Sequence, residues 1–176
     1  MNPSLVGSEM CIRDRLTVVL PDQLNAPLQE DFAALRKLRD DDASGALKEF
    51  FGDSEDPREW TYGRRKGKRV TVEDSRVTTL NLYKCTKLTV LPAAIGELKA
   101  LTELNLSECS SLAALPDATG ELGALTEIDL TKCSSLAALP DAIGKLGELT
   151  ELNVSGTSLV ALPESITGLG SLTKLY

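Results

Sequence analysis

Three cysteines recur at one spacing: Cys85, Cys109 and Cys133 are each 24 residues apart. Thiolates at a fixed interval can serve as redox centres or metal ligands. The next unit carries Thr157 at the same offset, and a hydroxyl can keep a backbone hydrogen bond but cannot replace a thiolate. The cysteines are therefore expected to be small side chains packed under a turn. Three glutamates share the period, Glu103, Glu127 and Glu151, in a column that begins with Thr79 and ends with Lys174. The chain has no histidine, so His-dependent triads and His-containing zinc sites are excluded. It also lacks GxxxxGK[ST] and GxGxxG, the loops that cradle phosphates. We expect no catalytic residues, no metal site and no cofactor.

What must position these columns is a repeat. Val77, Leu101, Leu125, Leu149 and Leu172 follow one another at steps of 24, 24, 24 and 23 residues, and the same residue types recur at each offset. LTELNLSECSSLAALPDATGELGA (101–124) is followed by LTEIDLTKCSSLAALPDAIGKLGE (125–148). Both satisfy L-x-x-L-x-L-x-x-C-x-x-L, a leucine-rich-repeat signature. In TELNL and TEIDL the apolar residues alternate, so each unit supplies a short strand with one face inward. A turn, a second apolar pair and then Pro116, Pro140 or Pro163 follow, the proline opening a short helical or 3-10 segment. A single such loop cannot offset the cost of ordering its backbone, about 1–2 kcal/mol per residue, so the loops must stack. The expected fold is α/β: a leucine-rich-repeat solenoid with a curved parallel sheet, short convex segments and a small helical N-terminal cap. Three regions are expected: residues 1–15 disordered, 16–76 the cap, and 77–176 about four repeats, truncated at the C-terminus.

On such a frame the outward strand positions line the concave face. They form three columns: Glu103, Glu127 and Glu151; Asn105, Asp129 and Asn153; and Ser107, Thr131 and Ser155, the last headed by Tyr83. These ten residues are the expected partner-binding grid. Parallel strands lie about 4.8 Å apart, so neighbouring glutamates repel by roughly 1 kcal/mol in water-like surroundings. A cationic ligand would relieve that repulsion. The same row also fits a solvated acidic face left by repeat duplication.

The LTELNLSECSSLAALPDATGELGALTEIDL stretch, with its L-P-x-x-I-G-x-L core, resembles the repeats of plant and algal intracellular immune receptors. The resemblance covers about residues 77–176 and implies fold more than partner. Upstream, Gly45, Ala46, Leu47, Asp56, Pro57, Trp60, Arg76 and Val77 match the N-terminal cap of plant receptor-type repeat proteins. The cap's cysteines are missing: Arg58 stands at the first and Val72–Glu73 has none, while YGRRKGKR is inserted after Thr61. That departure favours a cap without disulfides. Leu28, Phe32, Leu35 and Leu38 predict a helix over 27–39, with a second over 43–51. Their apolar faces, with Trp60, should cover the leucine end at Leu80 and Leu82.

The remaining features bound the function. A net charge of −7 disfavours nucleic acid and anionic membranes as partners, and no apolar run is long enough to span a bilayer. The basic cluster Arg64, Arg65, Lys66, Lys68 and Arg69 reads as a solvated loop in preference to a localisation signal or nucleic-acid patch. Asp40, Asp41 and Asp42 lack the spacing of a calcium loop. Residues 5–14, LVGSEMCIRD, resemble the translation of a sequencing-library adapter, and residues 1–15 are given no function. The expectation is a non-catalytic interaction module that binds a protein or peptide of basic character, within a larger cytoplasmic signalling or immune-type protein. The alternative is a fragment of a receptor ectodomain that binds a peptide or glycan.

Overall fold

The computed structural model describes residues 26–62 and 67–176. The adapter-like stretch and Arg64–Lys66 of the basic cluster lie outside the described residues.

Helix α1 (Ala26–Asp40) places Leu28, Phe32, Leu35 and Leu38 on one buried face. Helix α2 (Ala46–Phe51) is shorter than the 43–51 expectation because a turn leads into it and Gly45, at φ 67°, is left-handed and so stands outside the helix. Asp42 caps α2 from outside: its carboxylate accepts the Leu47 N–H at 2.8 Å and the Ser44 N–H at 3.0 Å. The Leu47 bond satisfies a helix N-terminal donor that would otherwise be orphaned. Trp60 is buried and stacks on Phe51 with ring centroids 4.0 Å apart, and its indole N–H donates to the Ser54 carbonyl.

Strands β1 (Thr61–Tyr62) and β2 (Gly67–Lys68) pair antiparallel, so Tyr62, Gly67 and Lys68 of the insertion are strand residues. Arg69, read as part of a solvated loop, is only 8% exposed. Its backbone bridges Trp60 and Asn81, and its guanidinium lies over the Phe50 ring.

The main sheet runs β3 (Val70–Glu73), β4 (Arg76–Asn81), β5 (Glu103–Asn105), β6 (Glu127–Asp129), β7 (Glu151–Asn153) and β8 (Lys174–Leu175), each strand bonded to the next. Strands β4 to β8 are parallel, one per repeat. Strand β3 is antiparallel to β4 and pairs Val70 with Leu80. The edge of the first repeat is thus closed by a strand as well as by helices, which the helical-cap expectation lacked. Asp74 and Ser75 both have positive φ, 47° and 61°, the signs that a tight two-residue hairpin turn requires.

Inside the coil, Leu80, Leu104, Ile128 and Leu152 stack in register and are buried. Pro92, Pro116, Pro140 and Pro163 each cap a five-residue 3-10 turn: Ala93–Glu97, Asp117–Glu121, Asp141–Lys145 and Glu164–Gly168. The turns stack tightly on the convex side. A Cβ on Gly120 would lie 2.3 Å from the Ala142 carbonyl oxygen, and one on Gly144 2.3 Å from that of Ser165, so these positions require glycine for close approach.

Threonine hydroxyls add a second ladder at the strand entrances. Thr102, Thr126, Thr150 and Thr173 each donate to the carbonyl of the equivalent threonine one repeat earlier, at 3.0–3.1 Å. The bond gives each layer a polar tie to its neighbour besides the strand pairing.

Candidate interaction face

The parallel register brings the first expected column together. Thr79, Glu103, Glu127, Glu151 and Lys174 are direct partners across successive strands. Glu103 and Glu127 are exposed and Glu151 is half-buried. Lys174 donates to Glu151 Oε2 at 2.8 Å, and the Thr79 hydroxyl reaches Glu103 Oε2 at 3.4 Å. Glu127, in the middle, has its pKa raised above the ordinary glutamate value, first by partial burial and then by the carboxylates of Glu151 and Glu103. The row is therefore a strip of repelling negative charge with one cation at its end.

The second and third columns are committed to the turns that end the strands. Asn105 Oδ1 accepts the Ser107 N–H at 2.9 Å and its hydroxyl at 2.6 Å. Asp129 does the same for Thr131, at 2.9 and 2.5 Å. Asn153 Oδ1 accepts the Ser155 N–H at 3.0 Å, and Asn81 Oδ1 that of Tyr83 at 2.9 Å. A short side chain bonding two residues ahead is the Asx turn, the reason Asn and Asp suit these positions. Ser107 is only 7% exposed and belongs to the turn, not to the contact surface. Ser155 stays exposed, and Asn105, Asp129, Thr131, Asn153 and Tyr83 are half-buried. Of the ten expected grid residues, the three glutamates share one row across the strands, and the others belong to the turns that end the strands. The Asn/Asp-x-Ser/Thr spacing in NLS, DLT and NVS was the local signal for those turns.

Beside this face the structure adds a rim that the sequence reading did not single out. Glu108 lies 3.4 Å from both Lys84 and Lys132, one repeat to either side. All three have φ near +60°, a left-handed conformation that costs non-glycine residues energy; the next repeat has Gly156 there, at φ 71°.

The cysteines lie beneath the turns. The Cys109 thiol donates to the Leu82 carbonyl at 3.2 Å and the Cys133 thiol to that of Leu106 at 3.1 Å, each one repeat back. Burial pushes the Cys85 thiol up to about 12 and the Cys133 thiol up to about 11, and raises that of Cys109 as well. Thiols held protonated are poor nucleophiles and poor metal ligands. Thr157 keeps a backbone bond as expected, but within its own turn, to the Val154 carbonyl at 2.7 Å. Among the described residues, no group of three or more His, Cys, Asp or Glu side chains is arranged to hold a metal ion, and no helix is long and apolar enough to cross a membrane.

No protein-family model matches the sequence, and a search among curated proteins finds no match. Solved structures do match. A leucine-rich-repeat protein of Leptospira interrogans is 38% identical with a TM-score of 0.51, over 56% of this chain and 24% of its own. The chain therefore spans about a quarter of that protein's length. A plant ice-binding protein matches over 81% of this chain and 46% of its own, with a TM-score of 0.57 at 20% identity. The BIR2 ectodomain of Arabidopsis thaliana matches over 82% and 77%, with a TM-score of 0.53 at 21% identity. The last two are alike in fold alone. With its 24-residue period, stacked parallel strands and proline-capped 3-10 turns, the chain is a leucine-rich-repeat protein.

Proposed function

We propose that this chain is a non-catalytic interaction module that holds a basic protein or peptide segment on its concave face. The leucine-rich-repeat fold supports the coarser half of this reading, an interaction module. The finer half rests on one observation: Glu103, Glu127 and Glu151 stand in register on adjacent strands, and the central carboxyl has its pKa raised by partial burial and then by its two carboxylate neighbours. A lysine or arginine of a partner would neutralise the strip and gain charge-assisted hydrogen bonds. Lys174 already forms such a contact with Glu151 inside the chain. Service within a larger cytoplasmic signalling or immune-type protein is part of the same proposal. The free buried cysteines Cys85, Cys109 and Cys133 suit a reducing compartment.

The test uses a fluorescently labelled lysine-rich peptide and anisotropy at low ionic strength. The wild-type chain is expected to bind it saturably, with affinity falling as salt rises. Charge reversal at Glu103, Glu127 and Glu151 is expected to abolish binding while the circular dichroism spectrum is preserved. Unchanged affinity in a folded triple variant would refute the site and leave the strip as solvated surface.

A further inference from the structure

The large apolar side chains left exposed are not spread over the surface. Of the five among the described residues, Val160, Leu162, Leu175 and Tyr176 belong to the last coil and its strand β8, and Val90 alone lies elsewhere. Together with Val154 and Leu159 the four line a groove of ≈ 470 Å³ that has no charged residue in its walls. Clustered apolar exposure marks a contact surface, where single exposed leucines do not.

The patch includes outward positions as well as inward ones. Val160 occupies the offset of Thr89, Ala113 and Ala137, and Ala113 and Ala137 are exposed although a further coil follows each. The 92% exposure of Val160 is therefore a property of its position. Tyr176 occupies the offset of Asn105, Asp129 and Asn153. The same coil has also shed charge: Gly156 stands at the offset of Lys84, Glu108 and Lys132, and Gly168 at that of Glu97, Glu121 and Lys145. Aromatic gain with charge depletion is the composition of an interface core.

We propose that this face is the contact surface between two copies of the chain, joined end to end about a two-fold axis. Leu136 and Leu139 of the preceding coil are buried beneath this one, so the surface that fits their equivalents Leu159 and Leu162 is another leucine-rich coil face. A second copy offers that face at one end only, because β3 and α1 close the other. Head-to-tail growth is thereby blocked, and the contact is isologous and stops at two. Whole molecules of net charge −7 repel, and an uncharged face lets two acidic chains meet without opposing like charges. Strand β8 is bonded to β7 on one side and, among the described residues, to no strand on the other; its copy would satisfy that edge.

The experiment is sedimentation velocity of the full chain over a concentration series, at low and at moderate ionic strength. A monomer–dimer equilibrium is expected, and it should tighten as salt screens the net charge. That is the opposite of the salt response expected for a basic peptide on the glutamate strip, so the two proposals fail separately. Val160→Asp, at a position too exposed to support the core, should weaken the dimer by at least about tenfold by placing an unpaired charge in the contact, with an unchanged circular dichroism spectrum. Tyr176→Ser should weaken it in the same direction. A chain that stays monomeric up to about 100 µM, one that assembles beyond two, or a dimer that survives Val160→Asp overturns the proposal. A monomer whose groove instead takes up an apolar peptide also overturns it, and assigns the face to a different partner.

Discussion

Asp31 of α1 accepts the backbone N–H of Val77 at 2.8 Å, and so ties the cap to the first apolar residue of the repeat frame. The same carboxylate grips the Arg76 guanidinium through both oxygens, at 2.9 Å each, and is 1% exposed. Val77 has no strand before it in the parallel stack, so its N–H needs a partner from elsewhere. Asp31→Ala leaves that buried donor unpaired, while the Arg76 guanidinium, 33% exposed, can turn to water. The expected loss is about 1–3 kcal/mol, read as a lower denaturant midpoint. Loss of less than about 0.5 kcal/mol would show that the cap is held by apolar packing alone.

Glu127 makes stability and binding respond to pH. Its folded pKa is raised, so the folded state holds the proton more tightly than the unfolded chain. The contribution is fully present below the unfolded value of about 4.3 and is lost as pH rises through the higher folded value. At neutral pH the ionised side chain therefore opposes folding slightly. Glu127→Gln is expected to raise neutral-pH stability by no more than about 0.5 kcal/mol, the scale of solvent-screened pairs, and to flatten the pH profile in that window. A variant that is less stable than wild type at pH 7 contradicts the account.

Thr119 occupies the column held by Ile95, Ile143 and Ile166 in the other convex turns. It is 0% exposed, and among the described residues its hydroxyl has no hydrogen-bond partner. A buried unpaired hydroxyl costs about 1–3 kcal/mol. Thr119→Val keeps the shape and removes the hydroxyl, and should stabilise the chain by about 1 kcal/mol in urea unfolding. Destabilisation would reveal a polar partner, such as buried water, at that site.

Gly120 and Gly123 differ by three positions and should respond in opposite ways to the same change. A Cβ on Gly120 runs into the Ala142 backbone, while one on Gly123 meets nothing within 4 Å. Gly120→Ala should destabilise by about 1–3 kcal/mol through overpacking between rigid turns. Gly123→Ala should be neutral or stabilise by up to about 1 kcal/mol through the unfolded state. Thermal melts of the two variants decide it, and equal melting temperatures would contradict the stacking geometry.

The repeat was legible in the sequence because its physics is one-dimensional. Leucines at Leu101, Leu125 and Leu149 can be buried only if successive loops superimpose, and superposition at a 24-residue step puts Glu103, Glu127 and Glu151 in one row whatever else the chain does. The inward thiols and the proline-led convex turns follow from the same constraint. The Asx turns are local too, yet Asn105 and Asp129 looked like surface polar groups because outward-facing strand positions were taken to point their polar atoms at a partner. Their acceptors turn back to Ser107 and Thr131 instead.

What tertiary structure alone decided lies where periodicity stops. Asp31 and Arg76 are 45 residues apart, and no repeat offset relates them. Val70 became an antiparallel neighbour of Leu80 because the open edge of the first repeat had hydrogen bonds to satisfy and the Asp74–Ser75 turn could reverse the chain. Arg69 looked like one of five basic residues in a loop, but that pairing drew it inward onto Phe50. Charge and spacing state which groups a chain carries; only the packing of non-equivalent segments states which of them water is denied.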